Sequence, residues 1–370
     1  MADPLIDRIV QRAIQIQQIP APTFEELERA KFVFAEFQNE KLSDVEIDED
    51  GNVYARLPGE NPEQPPLVVS AHTDTVFPAE TDLTVKTVGE KIYGPGIGDN
   101  SLGVAGLFGL VWTLREQGRT LPGDVWLVAN VGEEGLGDLK GMKAVFNRFG
   151  NIPSGYIILE GLALGRIYHR GLGVRRYRIS VETTGGHSWV DYGNPSAIHE
   201  LSLLAAQILS LRTSYRKRTS INIGHFSGGL SINSIAPYAV MELEFRSESE
   251  RVLSALSRKV LDLVRFADRP GVDYQLEVIG DRPFGEIPPE HPLVQAGQAA
   301  LEAQGLAAVP QIGSTDANFP LKHGAPAICI GLTSGYGAHT AGEYMDLSLL
   351  PKGMAQLVDV VIPSMYRSIR

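Results

Sequence analysis

The sequence predicts an α/β protein in which a mostly parallel sheet is interrupted by a smaller inserted unit with the element order βαββαβ. Continuous apolar strands such as "PPLVVSAHTD" and "DVWLVANVGEEG" alternate with helices, as strands buried on both faces of a parallel sheet do. From about Val174 the strands alternate apolar and polar residues instead, which is typical of a sheet with one covered face. We therefore expect a discontinuous domain over 1–173 and 284–370, with an inserted domain over 174–283.

The first part of the chain supplies the elements of the larger domain in order. Helical spacing predicts helices in "LIDRIVQRAIQI" and "TFEELERAKFVFAEFQ", and the alternation in "SDVEIDEDGNVYARLPG" predicts a hairpin. The buried strand "PPLVVSAHTD" comes next, followed by the helix "SLGVAGLFGLVWTLREQG" and the strands "DVWLVANVGEEG" and "SGYIILEG". Ligands of such sheets gather at the carboxyl ends of the strands, so polar residues at these ends are the first candidates for a site.

The inserted domain has its own set of elements. The strand "VRRYRISVET" and the helix "PSAIHELSLLAAQILSL" are followed by two strands, "TSINIGHFSGG" and "IAPYAVMELEFRSE". The helix "ESERVLSALSRKVLDLVRFA" and the strand "VDYQLEVIGD" complete a ferredoxin-like order of about a hundred residues. The larger pattern then resumes with the helix "LVQAGQAALEAQG" and the strand "APAICIGL".

Composition narrows the class of protein. A length of 370 residues suffices for two domains, and a formal charge of −11 argues against a nucleic acid partner or a basic membrane-binding surface. The single cysteine, Cys329, lies in an apolar strand, so we expect a buried thiol rather than a nucleophile. The amino-terminal stretch lacks the apolar core of a signal peptide, and we expect no stretch long and apolar enough to span a bilayer. These features predict a soluble, cytoplasmic protein.

Acidic and histidine side chains follow several of the predicted strands. Each has an ordinary explanation on its own, because such residues also cap helices, occupy solvated turns or lie on the surface. The candidates are His72 with Asp74, Asp99 in "GPGIGDNSLG", the pair Glu133 and Glu134 in "ANVGEEG", Glu160 in "IILEG", and His339 in "SGYGAHTAGEY".

Taken together, these residues favour a metal site. Several carboxylates in one crevice would raise one another's pKa, and two divalent cations would remove that repulsion. Two histidines with three carboxylates suit zinc or cobalt better than calcium or magnesium. Side chains of adjacent residues in an extended segment point to opposite sides, so one of Glu133 and Glu134 can coordinate a metal while the other faces a bound water.

At this point the sequence resembles a known family, the co-catalytic zinc hydrolases that include acetylornithine deacetylase, succinyl-diaminopimelate desuccinylase, aminoacylase-1, glutamate carboxypeptidase and peptidase T. The resemblance covers essentially the whole chain. It rests on an ordered set of motifs: "QIPAPTFEE", "DGNVYARLPG", "SAHTDTVF", "YGPGIGDNSLG", "GEEG", "GGHSW" and "GAHTAGEYM". The implied fold is a zinc-hydrolase catalytic domain with a lid and dimerisation domain inserted in it.

The resemblance implies a role for each candidate in the larger domain. Asp99 would bridge two metal ions. His72 and Glu160 would complete one site, and Glu134 and His339 would complete the other. The family often has a cis peptide after the bridging aspartate, and the sequence leaves open whether Asp99–Asn100 is one.

Two further residues would act beside the metals. By the same resemblance, Asp74 would hydrogen-bond to His72 and fix its tautomer, as metal-bound imidazoles generally require. Glu133 would be the general base for the water between the metals.

The inserted domain and one later loop add candidates for substrate contacts. His187 in "TTGGHSW" matches the family's lid histidine, which reaches the partner subunit's active site and binds the substrate's carbonyl oxygen. Asn233 in "SINSIAP" and Arg246 in "EFRSE" match positions that contact substrate, often through its carboxylate, which a guanidinium binds well. Thr315 and Asp316 in "GSTDANF" match a loop near the pocket.

The implied activity is hydrolysis of an amide bond in a small substrate by a homodimer that uses two divalent ions, Zn²⁺ before Co²⁺ or Mn²⁺. A short peptide cleaved from one end is the first candidate, and an N-acyl or N-succinyl amino acid is the alternative. Glu160 stands where many peptidases of the family carry aspartate and several deacylases carry glutamate, so the substrate class stays open.

Two interpretations from other classes compete with hydrolysis. "GPGIGDNSLG" could be a phosphate-binding loop, but Asp99 would place an anion where the phosphate sits, and the P-loop lysine is missing. A catalytically silent binding homologue would usually have lost a ligand or the base, and the sequence retains all of them. Metal analysis and a panel of dipeptides and N-acyl amino acids would distinguish these hypotheses.

Overall fold

The computed structural model describes residues 3–212 and 217–366. Over most of these residues the helices and strands follow the hydrophobic pattern of the sequence. The chain divides into two units, each with its own buried core: a large unit, Met1–Gly171 with Gly285–Arg370, and an inserted unit, Leu172–Phe284.

The α-helices of the described residues are α1 (Pro4–Gln17), α2 (Leu27–Asn39), α3 (Gly103–Glu116), α4 (Lys140–Phe149), α5 (Ala197–Leu209), α6 (Glu250–Ala267), α7 (Pro292–Ala303), α8 (Asn318–Lys322) and α9 (Leu350–Tyr366). The strands are β1 (Ser43–Ile47), β2 (Val53–Leu57), β3 (Leu67–His72), β4 (Lys86–Val88), β5 (Lys91–Tyr93), β6 (Val125–Asn130), β7 (Gly155–Glu160), β8 (Arg166–Gly171), β9 (Gly173–Thr183), β10 (Gly186–His187), β11 (Thr219–Gly228), β12 (Ser234–Ile235), β13 (Tyr238–Ser247), β14 (Val272–Arg282), β15 (Gly285–Glu286), β16 (Val309–Gly313), β17 (Ala327–Gly331), β18 (Gly335–Tyr336) and β19 (Tyr344–Asp346).

The main sheet of the large unit has the strand order β1-β2-β6-β3-β7-β17-β8-β15, with β16 also paired to β8. Its centre is parallel, since β3 runs parallel to β6 and β7, and β7 runs parallel to β17. Strands β3 and β17 are buried along their whole length, as their unbroken apolar sequences predict. The mostly parallel α/β sheet expected from the sequence is confirmed.

The inserted unit contains an antiparallel sheet in the order β11-β13-β9-β14, and α5 and α6 pack on one face of it. The chain order of these elements is βαββαβ, as the alternating pattern predicts. Apolar residues of β9 and β13 face the helices, while arginines and glutamates occupy the other face. The short strands β10 and β12 form a separate antiparallel pair in the same unit.

One segment corrects an expectation from the sequence. The helical run Ile97–Glu116, which ends in α3, is long and apolar enough to cross a membrane by length and composition, so the prediction that no such stretch exists is wrong. Nearly all of this run is buried inside the fold, where α3 packs against α1, β3 and α9. A helix that is apolar all round is also what the centre of a large core requires.

Other departures concern element boundaries and elements without a clear pattern. The predicted helix from Thr23 begins only at Leu27, and Phe24 has a φ of 79°. The side chains of Thr23 and Glu26 explain this, because each bonds to a distant loop of the candidate site described below. The sequence analysis did not predict helices α4, α8 and α9, strands β8 and β16, or the short strands β4, β5, β10, β12, β15, β18 and β19.

Candidate metal centre

The carboxyl ends of two neighbouring parallel strands bring the first pair of candidate residues together. His72 is the last residue of β3 and Glu160 is the last residue of β7. The imidazole of His72 is buried, and its Nε2 lies 3.7 Å from Glu160 Oε2. Because the strands are parallel neighbours, chain-distant residues end at the same edge of the sheet.

The carboxylate of Asp99 lies between the two candidate histidines. Asp99 Oδ1 is 3.2 Å from His72 Nε2, and Asp99 Oδ2 is 3.2 Å from His339 Nε2. Each oxygen therefore faces a different imidazole. The Asp99–Asn100 peptide bond is cis.

Glu134 and His339 form the other side of the cluster. His339 Nε2 lies 2.9 Å from Glu134 Oε1, and His339 has a φ of 66°, a left-handed conformation in a glycine-rich loop. Three potential ligand atoms lie within 4.8 Å of one another, one each from His72, Asp99 and Glu134. The structure thus brings together all five residues predicted as metal ligands.

The charges in the cluster shift one another's pKa. Burial, with the nearby carboxylates of Asp99 and Glu134, raises the pKa of Glu160 to about 7. Hydrogen bonds to Asp99 and Glu134 raise the pKa of His339 to about 10. Burial opposes charge on His72, yet the carboxylates around it hold its pKa well above the usual value.

The donor set fits two divalent ions. Ligand atoms bound tetrahedrally to zinc at about 2.1 Å lie about 3.4 Å apart. The histidine–carboxylate separations of 3.2, 3.2 and 3.7 Å are close to that spacing. Because its two oxygens face different histidines, the carboxylate of Asp99 can serve one ion with each oxygen.

Asp74 is wholly buried behind His72 and holds the loop that carries the paired glutamates. Its Oδ1 accepts a hydrogen bond from the N–H of Glu133 at 3.0 Å, and its Oδ2 accepts one from the N–H of Glu134 at 2.8 Å. His72 Nδ1 lies 3.1 Å from the backbone oxygen of Asp74 and 3.4 Å from Oδ1. Both the backbone and the carboxylate of Asp74 therefore face Nδ1 and favour its protonation, which leaves Nε2 free to coordinate.

Glu133 is also nearly buried, at 5% exposure, in the loop that follows β6. Burial, with the nearby carboxylates of Glu160, Asp316 and Glu133, raises the pKa of the Cys329 thiol. Cys329 is fully buried in β17, so the expectation of a structural thiol is confirmed.

Thr315 and Asp316 lie in the large unit, in the turn before α8. Asp316 is wholly buried, and its Oδ2 accepts a hydrogen bond at 2.7 Å from Asn130, the last residue of β6. The Thr315 hydroxyl accepts from the N–H of Ala317. Both side chains are thus engaged inside the fold, and Asp316 holds the end of β6 beside His72.

The remaining candidates lie in the inserted unit, separate from the cluster along the chain. His187 and Asn233 are neighbours there, because Ser188 N–H donates to the Asn233 carbonyl. The Arg246 guanidinium lies near the other end of β9 and donates to Glu244 at 2.6 and 3.2 Å.

The ring orientation of His187 is determined by its own loop. Its Nδ1 accepts hydrogen bonds from the N–H groups of Trp189 and Val190, both at 3.2 Å. The proton of the neutral ring is therefore on Nε2, so Nε2–H is a hydrogen-bond donor.

The sequence analysis did not identify four polar residues that support the site. Thr23 donates to Asp74 Oδ2 at 2.9 Å, and Glu26 accepts from the N–H of Gly132 at 3.1 Å. The buried Arg29 guanidinium donates to the Thr73 carbonyl at 2.7 Å. Burial lowers the pKa of Arg29 to about 10.

The fourth of these residues is Glu343, whose side chain is wholly buried and accepts hydrogen bonds from the turn that carries Asp99. The only indication of these four residues in the sequence was that they are polar residues within the motifs "PAPTFEELER" and "GAHTAGEYM". The pattern of those segments could not tell buried polar side chains from solvated ones.

Comparisons with known proteins agree with this geometry. Residues 68–362 match the model of peptidase family M20/M25/M40. The chain is 24% identical over 352 residues to the succinyl-diaminopimelate desuccinylase of Corynebacterium glutamicum, a match that covers 93% of this chain and 92% of that protein. It is 25% identical over 313 residues to the corresponding enzyme of Gluconacetobacter diazotrophicus, covering 80% of each.

Solved structures show the same fold. The aminopeptidase PepT of Bacillus cereus superposes with a TM-score of 0.78 at 21% identity, over 98% of this chain and 99% of that one. A tripeptidase of Staphylococcus aureus gives 0.80 at 20% identity, with the same coverage. A dinuclear metal-binding peptidase of Bacillus subtilis gives 0.66 at 17% identity, covering 97% and 98%.

Proposed function

We propose a mechanism from the premise that this chain belongs to peptidase family M20/M25/M40 and is a metal-dependent hydrolase that cleaves an amide bond in a small substrate. The observation that carries the proposal is the carboxylate of Asp99, whose two oxygens face two different histidines at 3.2 Å. In the proposal the carboxylate of Asp99 would bind both ions. His72 and Glu160 would complete one site, and Glu134 and His339 would complete the other.

The bound ions would polarise the substrate carbonyl and lower the pKa of water. Every other step falls to the chain itself. Glu133 accepts a proton from the attacking water and delivers it to the leaving amine. The hydrogen bond from its N–H to Asp74 holds its backbone in place, and its side chain is nearly buried, so its carboxylate is restrained.

Residues of the inserted unit would act on the substrate. The Nε2–H of His187 suits donation to the oxygen on which negative charge develops. Asn233, next to His187, and Arg246 are proposed to bind the rest of the substrate. Asp316 is assigned to holding Asn130, because its side chain is wholly buried.

We also propose that the inserted unit is a lid and pairs two copies of the chain. Large exposed apolar side chains of this unit support the proposal, because contact between two copies would remove apolar surface from water. Leu203 of α5 is 65% exposed, Leu230 is 81% exposed, and Phe226 on the edge strand β11 is 40% exposed. A homodimer would cover such surface.

The preferred substrate is proposed to be a short peptide with an apolar side chain. Phe24, Val76 and Leu136 are 62%, 40% and 47% exposed, and each lies within two residues of Thr23, Asp74 or Glu134. These loops meet at the Asp74 carboxylate, and we propose that their exposed apolar side chains contribute to the substrate pocket. Apolar surface suits a leucine or phenylalanine side chain better than the carboxylates of a succinylated substrate.

Zinc is the proposed metal, because two imidazoles among the ligands favour it, with cobalt and manganese as alternatives. A cytoplasmic location stays a prediction that the single buried thiol supports.

The test combines metal analysis with a substrate panel. Purified protein should contain about two equivalents of divalent metal, lose activity on chelation and regain it with Zn²⁺, Co²⁺ or Mn²⁺. The panel should include di- and tripeptides with leucine, phenylalanine or aspartate, together with N-acetyl and N-succinyl amino acids. Cleavage of N-succinyl substrates alone would replace the peptide proposal by the desuccinylase alternative. Metal-free protein with full activity would overturn the mechanism.

A further inference from the structure

A single buried carboxylate joins the two loops that carry Asp99 and His339. The Glu343 side chain is wholly buried. Its Oε1 accepts hydrogen bonds from the N–H groups of Gly98 and Asp99, both at 2.8 Å, and its Oε2 accepts one from the N–H of Gly96 at 2.9 Å. Three backbone donors of one turn therefore point at one side chain.

A carboxylate is the side-chain group that satisfies this arrangement. Both oxygens of Glu343 must accept, because N–H donors face each of them. A glutamine of the same shape would turn its own NH₂ group toward one set of donors and leave buried donors unmatched.

The backbone of the same residue belongs to the loop of His339. Glu343 N–H donates to the Thr340 carbonyl at 3.1 Å, one residue after His339. The Glu343 carbonyl accepts from the N–H of Gly94 at 3.0 Å, which continues the antiparallel pairing of β5 with β19. The backbone of Glu343 therefore fixes where the His339 loop lies, and its side chain fixes where the Asp99 turn lies.

We propose that Glu343 is a positioning residue that holds Asp99 and His339 at the separation that a shared metal ion needs. Glu343 does not bind the metal, because its two oxygens are occupied by N–H donors. The proposal rests on the proposed dinuclear function. It adds to the five proposed ligands a supporting residue that lies 244 positions along the chain from Asp99.

Cobalt binding provides a test that does not depend on activity. Metal-free wild-type protein, E343Q, E343D and a control would be titrated with Co²⁺, and both affinity and the visible absorption spectrum would be recorded. E343Q should bind at least one of the two equivalents about 10- to 100-fold more weakly, with an altered spectrum. E343D keeps the charge but is one methylene too short to reach all three donors, so its affinity should lie between those of E343Q and the wild type.

The matched control is D346N, three residues further on. Asp346 is half-buried, and its carboxylate accepts a hydrogen bond from the N–H of Ser348 at 2.9 Å, so its partner lies outside the Asp99 turn. The D346N variant should bind Co²⁺ with the affinity and the absorption spectrum of the wild-type protein.

The outcomes separate this proposal from the proposed function. If E343Q bound both equivalents with wild-type affinity and spectrum, even with a lowered melting temperature, Glu343 would be merely structural and the proposal would be overturned. If E343Q failed to fold, E343D would decide by the same titration. Failure of the wild-type protein to bind two equivalents would overturn the dinuclear function itself, and the positioning role with it.

Discussion

The candidate residues of the large unit differ from those of the inserted unit in how the fold holds them. In the large unit His72, Asp74 and Glu134 are almost wholly buried, and each has hydrogen-bond or ionic partners from distant parts of the chain. In the inserted unit His187 is exposed, and among the described residues its hydrogen bonds go to neighbours within four residues, apart from its strand pairing with β12. Arg246 is partly exposed, with its partner Glu244 two residues away.

This difference suggests a division of labour. Buried, cross-linked ligands hold a fixed geometry, as electrostatic preorganisation requires. Exposed residues with local partners can move as a unit toward a substrate without breaking the core. We expect substitutions in the large unit to affect metal and chemistry together, and those in the inserted unit to affect catalysis while metal binding persists.

The largest effect is expected from Glu133→Gln. Removal of the proposed base should lower kcat about 10³- to 10⁴-fold while two equivalents of metal remain bound, measured by steady-state kinetics and metal analysis.

Asp138→Asn is the matched control for that variant. Asp138 lies in the same loop, and the substitution removes its ion pair with Lys143, whose Nζ is 2.8 Å from Asp138 Oδ2. Asp138 is not among the proposed site residues. It should keep near-normal kcat, and near-normal kcat in Glu133→Gln itself would refute the base assignment.

The sharpest test of the division of labour is His187→Ala. Loss of the proposed donor to the oxyanion should lower kcat about 10²- to 10³-fold, with Co²⁺ affinity and melting temperature unchanged. His187→Gln retains a side-chain N–H and should recover part of the rate. A loss of metal binding in either variant would contradict the separation of roles.

Asp74→Asn should have an intermediate effect that combines metal binding and activity. An amide in place of the carboxylate turns a donor toward the N–H of Glu133 or Glu134, so metal affinity and kcat should each fall about 10- to 100-fold. Thr23→Val removes only one of the hydrogen bonds to this carboxylate and should have a smaller effect. Unchanged metal affinity in Asp74→Asn would leave Asp74 as an ordinary polar turn residue.

A lower pH should weaken metal binding, because it protonates the two histidine ligands of the large unit. Without metal the carboxylates hold the pKa of His339 at about 10 and that of His72 above its usual value, so both imidazoles are protonated near neutral pH. A metal must displace these protons, so affinity should rise about tenfold per pH unit for each proton released. Calorimetry in buffers of different ionisation enthalpy measures that release. No proton release at neutral pH would contradict the histidine ligands.

Arg246→Ala should give the smallest effect. If its guanidinium binds the substrate carboxylate, KM should rise about tenfold with kcat little changed. Arg178 on β9 is the matched control, because it is 39% exposed against 42% for Arg246 and also pairs with carboxylates. Equal effects of Arg178→Ala and Arg246→Ala would show that both act on the sheet rather than on the substrate.

Most of the site could be predicted because its residues follow strands. The unbroken apolar runs before His72 and Glu160 indicate parallel strands, and parallel strands place their ends at one edge. Asp74 illustrates what could not be predicted. Its expected contact with His72 is present. Its two carboxylate oxygens also accept hydrogen bonds from the N–H groups of Glu133 and Glu134, which lie some 60 residues further along the chain, and no sequence pattern indicates these bonds.

The sequence by itself determined the fold class, the alternation that marks the inserted unit, and the five side chains that converge, because hydrophobic period and residue type are local properties. Only the tertiary structure decided which oxygen of Asp99 faces which histidine, and that His187 presents its Nε2–H. It also decided that four polar residues support the site through hydrogen bonds: Thr23, Glu26, Arg29 and Glu343. These features depend on loops that meet across the fold. A polar residue in a loop acquires its role from the backbone donors packed against it, and those donors belong to distant segments.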